Sequence, residues 1–208
     1  MNRQRRHCGR CTRPLTHCLC AHIPEIRNRT RVLILQHPDE ARHPLNTARL
    51  AVLGLENADL WVGESFPQLP DAIASVDRAV LLFPTKDESL SFQPAVHDAP
   101  GSSLLIVPDG TWRKARKIVS VNPILATLPA LSLPPGEPSE YRIRKALESA
   151  AVSTIEAVVR ALRILEPEQD FTPLLAPFKV MVDQQIAAMG EETYRRNHGA
   201  ISPPPADT

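Results

Sequence analysis

The chain has 208 residues, 43% apolar and 23% charged, with a formal net charge of +1. That length is roughly one domain's worth and enough to bury a core unaided, and the composition excludes collagen-like fibres and wholesale disorder. No apolar run approaches the ~18 residues of a membrane span, and no apolar stretch follows the first arginines as a secretory signal requires. A cytoplasmic protein with no membrane association is expected.

The near-neutral total hides an asymmetry. Residues 1–31 carry eight Arg and one acid, Glu25, whereas the remainder carries 16 basic and 22 acidic residues. A basic module on an acidic body points to a polyanionic partner; the alternative is a solvated basic tail. All four cysteines lie in this module as Cys8, Cys11, Cys18 and Cys20, spaced C-x2-C-x6-C-x-C. Two close pairs can converge on one tetrahedral ion, the arrangement structural zinc takes. Disulfides are disfavoured in a reducing compartment; free or redox thiols are the competing reading. Arg5, Arg6, Arg10 and Arg13 are placed to hold the thiols deprotonated, and His7, His17 and His22 are near enough to replace one ligand. Residues 1–30 are too few for a core of their own, so this module is expected to fold with its metal.

Beyond it, 31–36 (RVLILQ) reads as a buried strand that stops at Pro38. Asn46 caps a helix over 47–55. Residues 59–62 form a weak strand, and 79–83 and 104–107 clear ones, each of the latter closed by Pro. A basic helix starts near Thr111 and runs through WRKARKIVS. Residues 131–133 and 141–143 are candidate short strands. Ser153 and Glu156 make an S-x-x-E capping box before a helix with Ile155, Val158, Val159, Leu162 and Leu165 at helical spacing. A last helix covers 172–189, and 191–208 form a flexible tail. Short apolar strands alternating with helices indicate an α/β domain over 31–190, with a mostly parallel sheet and helices on both faces.

Open α/β sheets bind ligands beyond the carboxyl ends of their strands. Here those ends read HPDE, PTKDE and PDGTW. No dinucleotide-binding or P-loop glycine motif occurs, nor a nucleophile elbow or zincin motif. Asp109 between strand and helix can accept a substrate proton or simply cap its turn. Trp112 can stack on a base or pack in the core. Arg113, Lys114, Arg116 and Lys117 form a phosphate track or a solvated face. His37, Asp39, Glu40 and His43 match no metal spacing, and loop hydrogen bonding is the better reading. Arg142 and Arg144, alternating with Tyr141 and Ile143, can grip a carboxylate or phosphate.

The Cys8/Cys11/Cys18/Cys20 cluster, His37-x-x-Glu40, Asn46-Thr47-Ala48, Asp109-Gly110-Thr111-Trp112, Tyr141-x-Ile-Arg144 and Ser153-Thr154-Ile-Glu156-Ala157 occur in that order. In this the chain resembles the DTW-domain family of tRNA-uridine aminocarboxypropyltransferases over roughly residues 8–185. The resemblance implies transfer of the 3-amino-3-carboxypropyl group from S-adenosylmethionine to N3 of a tRNA uridine, releasing methylthioadenosine. It also implies a SPOUT-like fold with a cofactor pocket in a C-terminal knotted region. On that reading Asp109 is the general base, Thr111 orients it or hydrogen-bonds the uridine, and Trp112 stacks on the uridine. Phe83, Pro84, Val107 and Pro108 cradle the adenosine. Arg142 or Arg144 holds the cofactor's carboxylate, and Ser153 binds a carboxylate or is a plain N-cap. Arg5, Arg6, Arg10, Arg13, Arg113, Arg116 and Lys117 contact tRNA, and no obligate protein partner is evident. Two alternatives stand beside it: a SPOUT-type RNA methyltransferase, and a non-enzymatic zinc-dependent RNA-binding protein.

Overall fold

The computed structural model describes residues 6–85, 87–92, 101–134, 152–190 and 192–193. Its strands are β1 (Arg31–Gln36), β2 (Ala58–Val62), β3 (Arg78–Leu82), β4 (Ser103–Asp109) and β5 (Ala130–Leu131). They form one sheet in the order β2-β1-β4-β3-β5, and every pairing is parallel. The helices are α1 (Pro38–Ala41), α2 (Ala48–Gly54), α3 (Leu69–Ala74), α4 (Trp112–Val121), α5 (Thr154–Leu165) and α6 (Ala176–Met189).

Side chains alternate along a strand, so each strand feeds two cores. Val32 and Ile34 of β1, Val80 and Leu82 of β3, and Leu105 and Val107 of β4 face one way, toward the α2, α5 and α6 residues Leu50, Ile155, Val158, Leu162 and Phe178. Leu33, Leu35, Leu81, Leu104 and Ile106 face the other, with Leu69 of α3 and Ile118 of α4. Burial on both faces explains why these strands read as continuous apolar runs. The capping box is present at α5: Ser153 N and Oγ both donate to Glu156 Oε2, at 2.8 and 2.7 Å. Ile155, Val158, Val159 and Leu162 behind it are at most 1% exposed, each worth roughly 1.5–3 kcal/mol of burial.

The differences from the sequence reading are local. Pro38 ends β1, as expected, but also opens α1, as Pro70 opens α3; neither short helix was legible, because Pro was read only as a stop when it also suits a first turn. The expected 172–189 helix divides into a 3-10 turn, Thr172–Leu175, and α6. The expected strand at 131–133 is β5, one residue earlier and shorter, while the expected strand at 141–143 lies outside the described residues. So does the connection from β5 to α5, through 135–151, where the expected knot would be decided. The N-terminal segment packs on the same core: Leu19, Ile23 and Ile26 are buried with the α5 and α6 residues, and Arg13 Nη1 donates to Pro44 O at 2.6 Å. No described helix is long and apolar enough to cross a membrane.

Candidate functional site

β1 and β4 lie side by side in the sheet centre, and their register pairs Gln36 with Asp109 at the carboxyl ends. By the period of two, both side chains take the face of Val32, Ile34, Leu105 and Val107, under the first turn of α5. Asp109 is 8% and Gln36 1% exposed. Gln36 Nε2 donates to Asp109 Oδ2 at 2.7 Å, and the Thr154 hydroxyl, from the first residue of α5, donates to Oδ1. Burial pushes the Asp109 carboxyl above the usual carboxylate range; the two hydrogen bonds oppose this and the charge of Glu40 adds to it. Gly110 is needed at the turn that follows: a Cβ there would stand 2.9 Å from Lys114 Cβ.

Two cavities open at this edge of the sheet. One, of about 500 Å³, is the more polar of the two and is lined by Gln36, Glu40, His43, Asn46, Asp109 and Ser153 among others. The second, of about 330 Å³, is mainly apolar and lined by Phe83, Pro84, Val107, Pro108, Trp112 and Leu133 among others. Gly110, Val152 and Thr154 border both. Both volumes fall in the range of small-molecule sites. Of the residues expected around a cofactor, Phe83, Pro84, Val107 and Pro108 gather at the apolar cavity, and Asp109 and Ser153 at the polar one. Arg142 and Arg144 lie outside the described residues.

The D-x-T-W residues divide between the two cavities. Asp109 and Thr111 line the polar one and Trp112 the apolar one. Trp112 is 45% exposed and meets Phe83 edge-on, with ring centroids 6.0 Å apart. Thr111 is the exposed N-cap residue of α4, with no side-chain cap bond; the hydroxyl that bonds Asp109 is that of Thr154. Behind Asp109, Lys114 Nζ bridges Glu40 at 2.8 Å and Asp39 at 3.3 Å. Lys117 pairs with Glu64 at 2.6 Å, and Glu64 also accepts from His37 Nε2 at 2.8 Å, since His37 Nδ1 already accepts from Asp39 N. The HPDE segment is therefore held by hydrogen bonds and ion pairs, as its spacing indicated. Arg113 and Arg116 are exposed on the outer surface of α4.

The sequence reading misses Gln36, takes Glu40 and His43 for loop hydrogen bonding rather than metal ligation, and gives Asn46 and Thr154 no site role beyond their place in the family motifs and, for Asn46, a helix cap. One signal was available for Gln36: a lone polar residue closes an otherwise apolar strand. For Thr154, which stands in a family motif, nothing pointed to Asp109, because the two lie 45 residues apart.

The four cysteine sulfurs lie within 4.8 Å of one another, with Cys8–Cys20 at 3.6 Å and Cys11–Cys18 at 3.7 Å. A tetrahedral site with metal–sulfur bonds of about 2.3 Å has edges of about 3.8 Å, so the donor set and spacing fit zinc. The first pair sits on a tight hairpin closed by Cys8 N to Arg13 O and Thr12 N to Cys8 O, at 2.8 and 2.9 Å. Backbone N–H groups of Cys11 and Arg10 pull the Cys8 thiol down to about 6, while burial and neighbouring thiols push Cys20 up to about 12. Main-chain amides rather than guanidinium groups thus favour the thiolate at Cys8. Arg10 and Arg13 reach instead to backbone carbonyls, Arg10 Nη2 to Leu53 O at 3.5 Å and Arg13 Nε to His17 O at 3.0 Å. Arg6 is exposed, and Arg5 lies outside the described residues.

The DTW domain matches residues 5–186 of the chain. A Drosophila melanogaster protein named tRNA-uridine aminocarboxypropyltransferase 2 is 30% identical, over 88% of this chain and 76% of its own length. The Mus musculus protein of the same name is 31% identical, over 88% of this chain but 64% of its own length, so the chain spans less than two thirds of that relative. Arabidopsis thaliana tRNA-uridine aminocarboxypropyltransferase A is 30% identical, over 86% of this chain and 80% of its own. No solved structure matches the chain.

Proposed function

This chain belongs to the DTW domain family, and from that premise we propose that it transfers the 3-amino-3-carboxypropyl group of S-adenosylmethionine to N3 of a uridine in tRNA. The observation that carries the reading is a buried acid, Asp109, at the floor of a polar cavity that shares a wall with an apolar one. The apolar cavity suits the adenosine of the donor, with Phe83, Pro84, Val107 and Pro108 against it. The polar cavity suits the amino acid arm and the uridine edge, and Ser153 stands at its rim.

The sulfonium of the donor is already an activated leaving group, so positioning and deprotonation are the protein's tasks. Asp109 takes the N3 proton of the uridine. N3 then bonds to the γ-carbon of the arm, the carbon–sulfur bond breaks, and its electron pair neutralises the sulfur of the departing methylthioadenosine. A carboxylate whose pKa is raised by burial is a stronger base than a free one. Trp112, half-exposed at the cavity mouth, offers a face for a uridine turned out of its stack.

Cys8, Cys11, Cys18 and Cys20 would hold a zinc ion, which when bound supplies folding energy to the N-terminal segment. Arg6, Arg10 and Arg13 on that segment, with Arg113, Arg116 and Lys117 of α4, supply the charge for tRNA phosphates. Arg5 extends the same basic run.

The test is purified protein with unmodified tRNA and S-adenosylmethionine labelled separately in its carboxyl and methyl groups, read by nucleoside mass spectrometry. Carboxyl label entering a uridine nucleoside, heavier by one aminocarboxypropyl group, is the expected result. Methyl label in RNA would overturn the assignment in favour of methyl transfer. Tight, salt-dependent tRNA binding with neither label transferred would make it a binding protein.

A further inference from the structure

Asp109 is held by two donors of different kinds. Gln36 bonds its Oδ2, and the orientation of that amide can be worked out from its surroundings. Asn46 Oδ1 accepts from the backbone N–H of Arg49 and Asn46 Nδ2 donates to the backbone carbonyl of Glu40, both at 3.2 Å. Two backbone groups, one donor and one acceptor, therefore fix which way Asn46 points. Asn46 in turn makes reciprocal amide bonds with Gln36, Nε2 to Oδ1 and Nδ2 to Oε1, again at 3.2 Å. Gln36 cannot turn over without setting donor against donor, so it presents N–H, and only N–H, to Asp109.

The second partner is a rotor. The Thr154 hydroxyl donates to Oδ1, but a hydroxyl has two acceptor lone pairs as well as its proton. It can turn and accept from that oxygen once the oxygen is protonated. Thr154 also borders both cavities, and Asp109 lines the polar one beside it.

We propose that Gln36 and Thr154 are positioning residues that make Asp109 a base of one oxygen, Oδ2 staying an acceptor while Oδ1 takes the proton. This rests on the reading of Asp109 as the general base. In the step, the uridine N3–H bond breaks and an Oδ1–H bond forms. The Thr154 hydroxyl keeps its own proton and turns from donor to acceptor. The captured proton leaves to water after the product departs. Oδ2 is the disfavoured oxygen for the proton, because its Gln36 donor cannot turn to accept and an O–H oxygen is a weaker acceptor for that bond than a carboxylate oxygen.

Glu40 of α1 faces Asp109, with its charge shared by Lys114 of α4 at 2.8 Å; His43 lines the same cavity; Gln36 and Thr154, from β1 and α5, are neutral. The Gln36 donor stabilises the ionised carboxylate against burial and against Glu40.

Three variants test this. Gln36→Met keeps the length and removes the donor, and Asn46 retains its two backbone partners. The acid limb of the kcat profile should move up by about one pH unit, with KM for donor and tRNA unchanged, because a hydrogen bond to a charged group is worth about that much. The Asp109 ¹³Cγ resonance of the protein without substrates should titrate about one unit higher in the same variant. Thr154→Val should cost at least about tenfold in kcat, and Thr154→Ser, which keeps the rotor, should restore most of it. An unmoved carbon titration in Gln36→Met, or Thr154→Val as active as Thr154→Ser, would overturn the inference. Absence of product from the wild-type protein would instead sink the reading of the activity, and the carbon titration would still report on the network.

Discussion

Asp109→Asn separates the chemistry of this acid from its place in the fold. Asparagine fits the same partners: its Oδ1 accepts from Gln36 Nε2, and its Nδ2 donates to the Thr154 hydroxyl turned to accept. Gln36 and Thr154 each keep a bond to this side chain, and the displaced Thr154 O–H can turn toward the cavities it borders, so the hydrogen-bond cost is held to about 1 kcal/mol. Asp109→Ala is a poorer probe, since it strips the Thr154 hydroxyl of its acceptor, at about 1–3 kcal/mol for the unsatisfied group alone. The charge effect runs in the opposite direction. Asp109 has its pKa raised above the ordinary 3.8, first by burial, so the folded protein binds this proton more tightly than the unfolded chain. The associated stability is complete below the unfolded value and is lost as pH rises through the raised folded value. At pH 7 the wild type thus carries the cost of a buried charge, which asparagine lacks. Turnover should fall by about 10²–10⁴, the usual contribution of a general base, or about 2.7–5.4 kcal/mol of barrier. The assay pairs melting curves at low and neutral pH with single-turnover nucleoside mass spectrometry. We expect a neutral-pH melting temperature equal to or above wild type, the gap closing in acid, with turnover lost. Turnover within a few-fold of wild type would remove Asp109 as the base, and a large drop in melting temperature would refute the account of its partners.

Elemental analysis of purified protein should find one zinc per chain, lost in Cys11→Ser; a metal-free protein with an undiminished melting temperature would refute the site. Leu19→Ala, at a position 0% exposed in the shared core, should cost about 2–5 kcal/mol, or a fall of about 4–20 °C in melting temperature. A negligible fall would mean that the N-terminal segment is not part of the core. Glu156→Ala leaves Ser153 N and Oγ without their acceptor and should cost about 2–4 kcal/mol; turnover should fall with it, because the first turn of α5 carries Thr154. Trp112→Ala removes a half-exposed ring and one edge contact, so stability should fall by about 2–4 kcal/mol while KM rises; an unchanged KM would take Trp112 out of substrate binding.

Much of the site was legible in the residues. Four thiols in 13 positions favour a shared ion over free or redox thiols, and the structure brings their sulfurs together. Asp109 was legible because an acid at the end of an apolar strand, followed by Gly110, has nowhere to go but the sheet rim. The apolar pocket was partly legible, since Phe83 and Pro84 follow β3 and Val107 and Pro108 stand near the carboxyl end of β4. The short helices α1 and α3 were not, because four to six residues carry too little periodicity to outweigh a proline.

The chain's local patterns were enough to specify its main strands, its longer helices, a parallel sheet and the acid at its rim, because burial on both faces and capping leave marks within a few residues. Which groups hold that acid was decided only by tertiary structure. Gln36 meets Asp109 through the register of two strands 73 residues apart, and Thr154 meets it through the docking of α5. A hydrogen bond between residues so distant in sequence depends on how layers pack, and packing leaves no local periodicity to read.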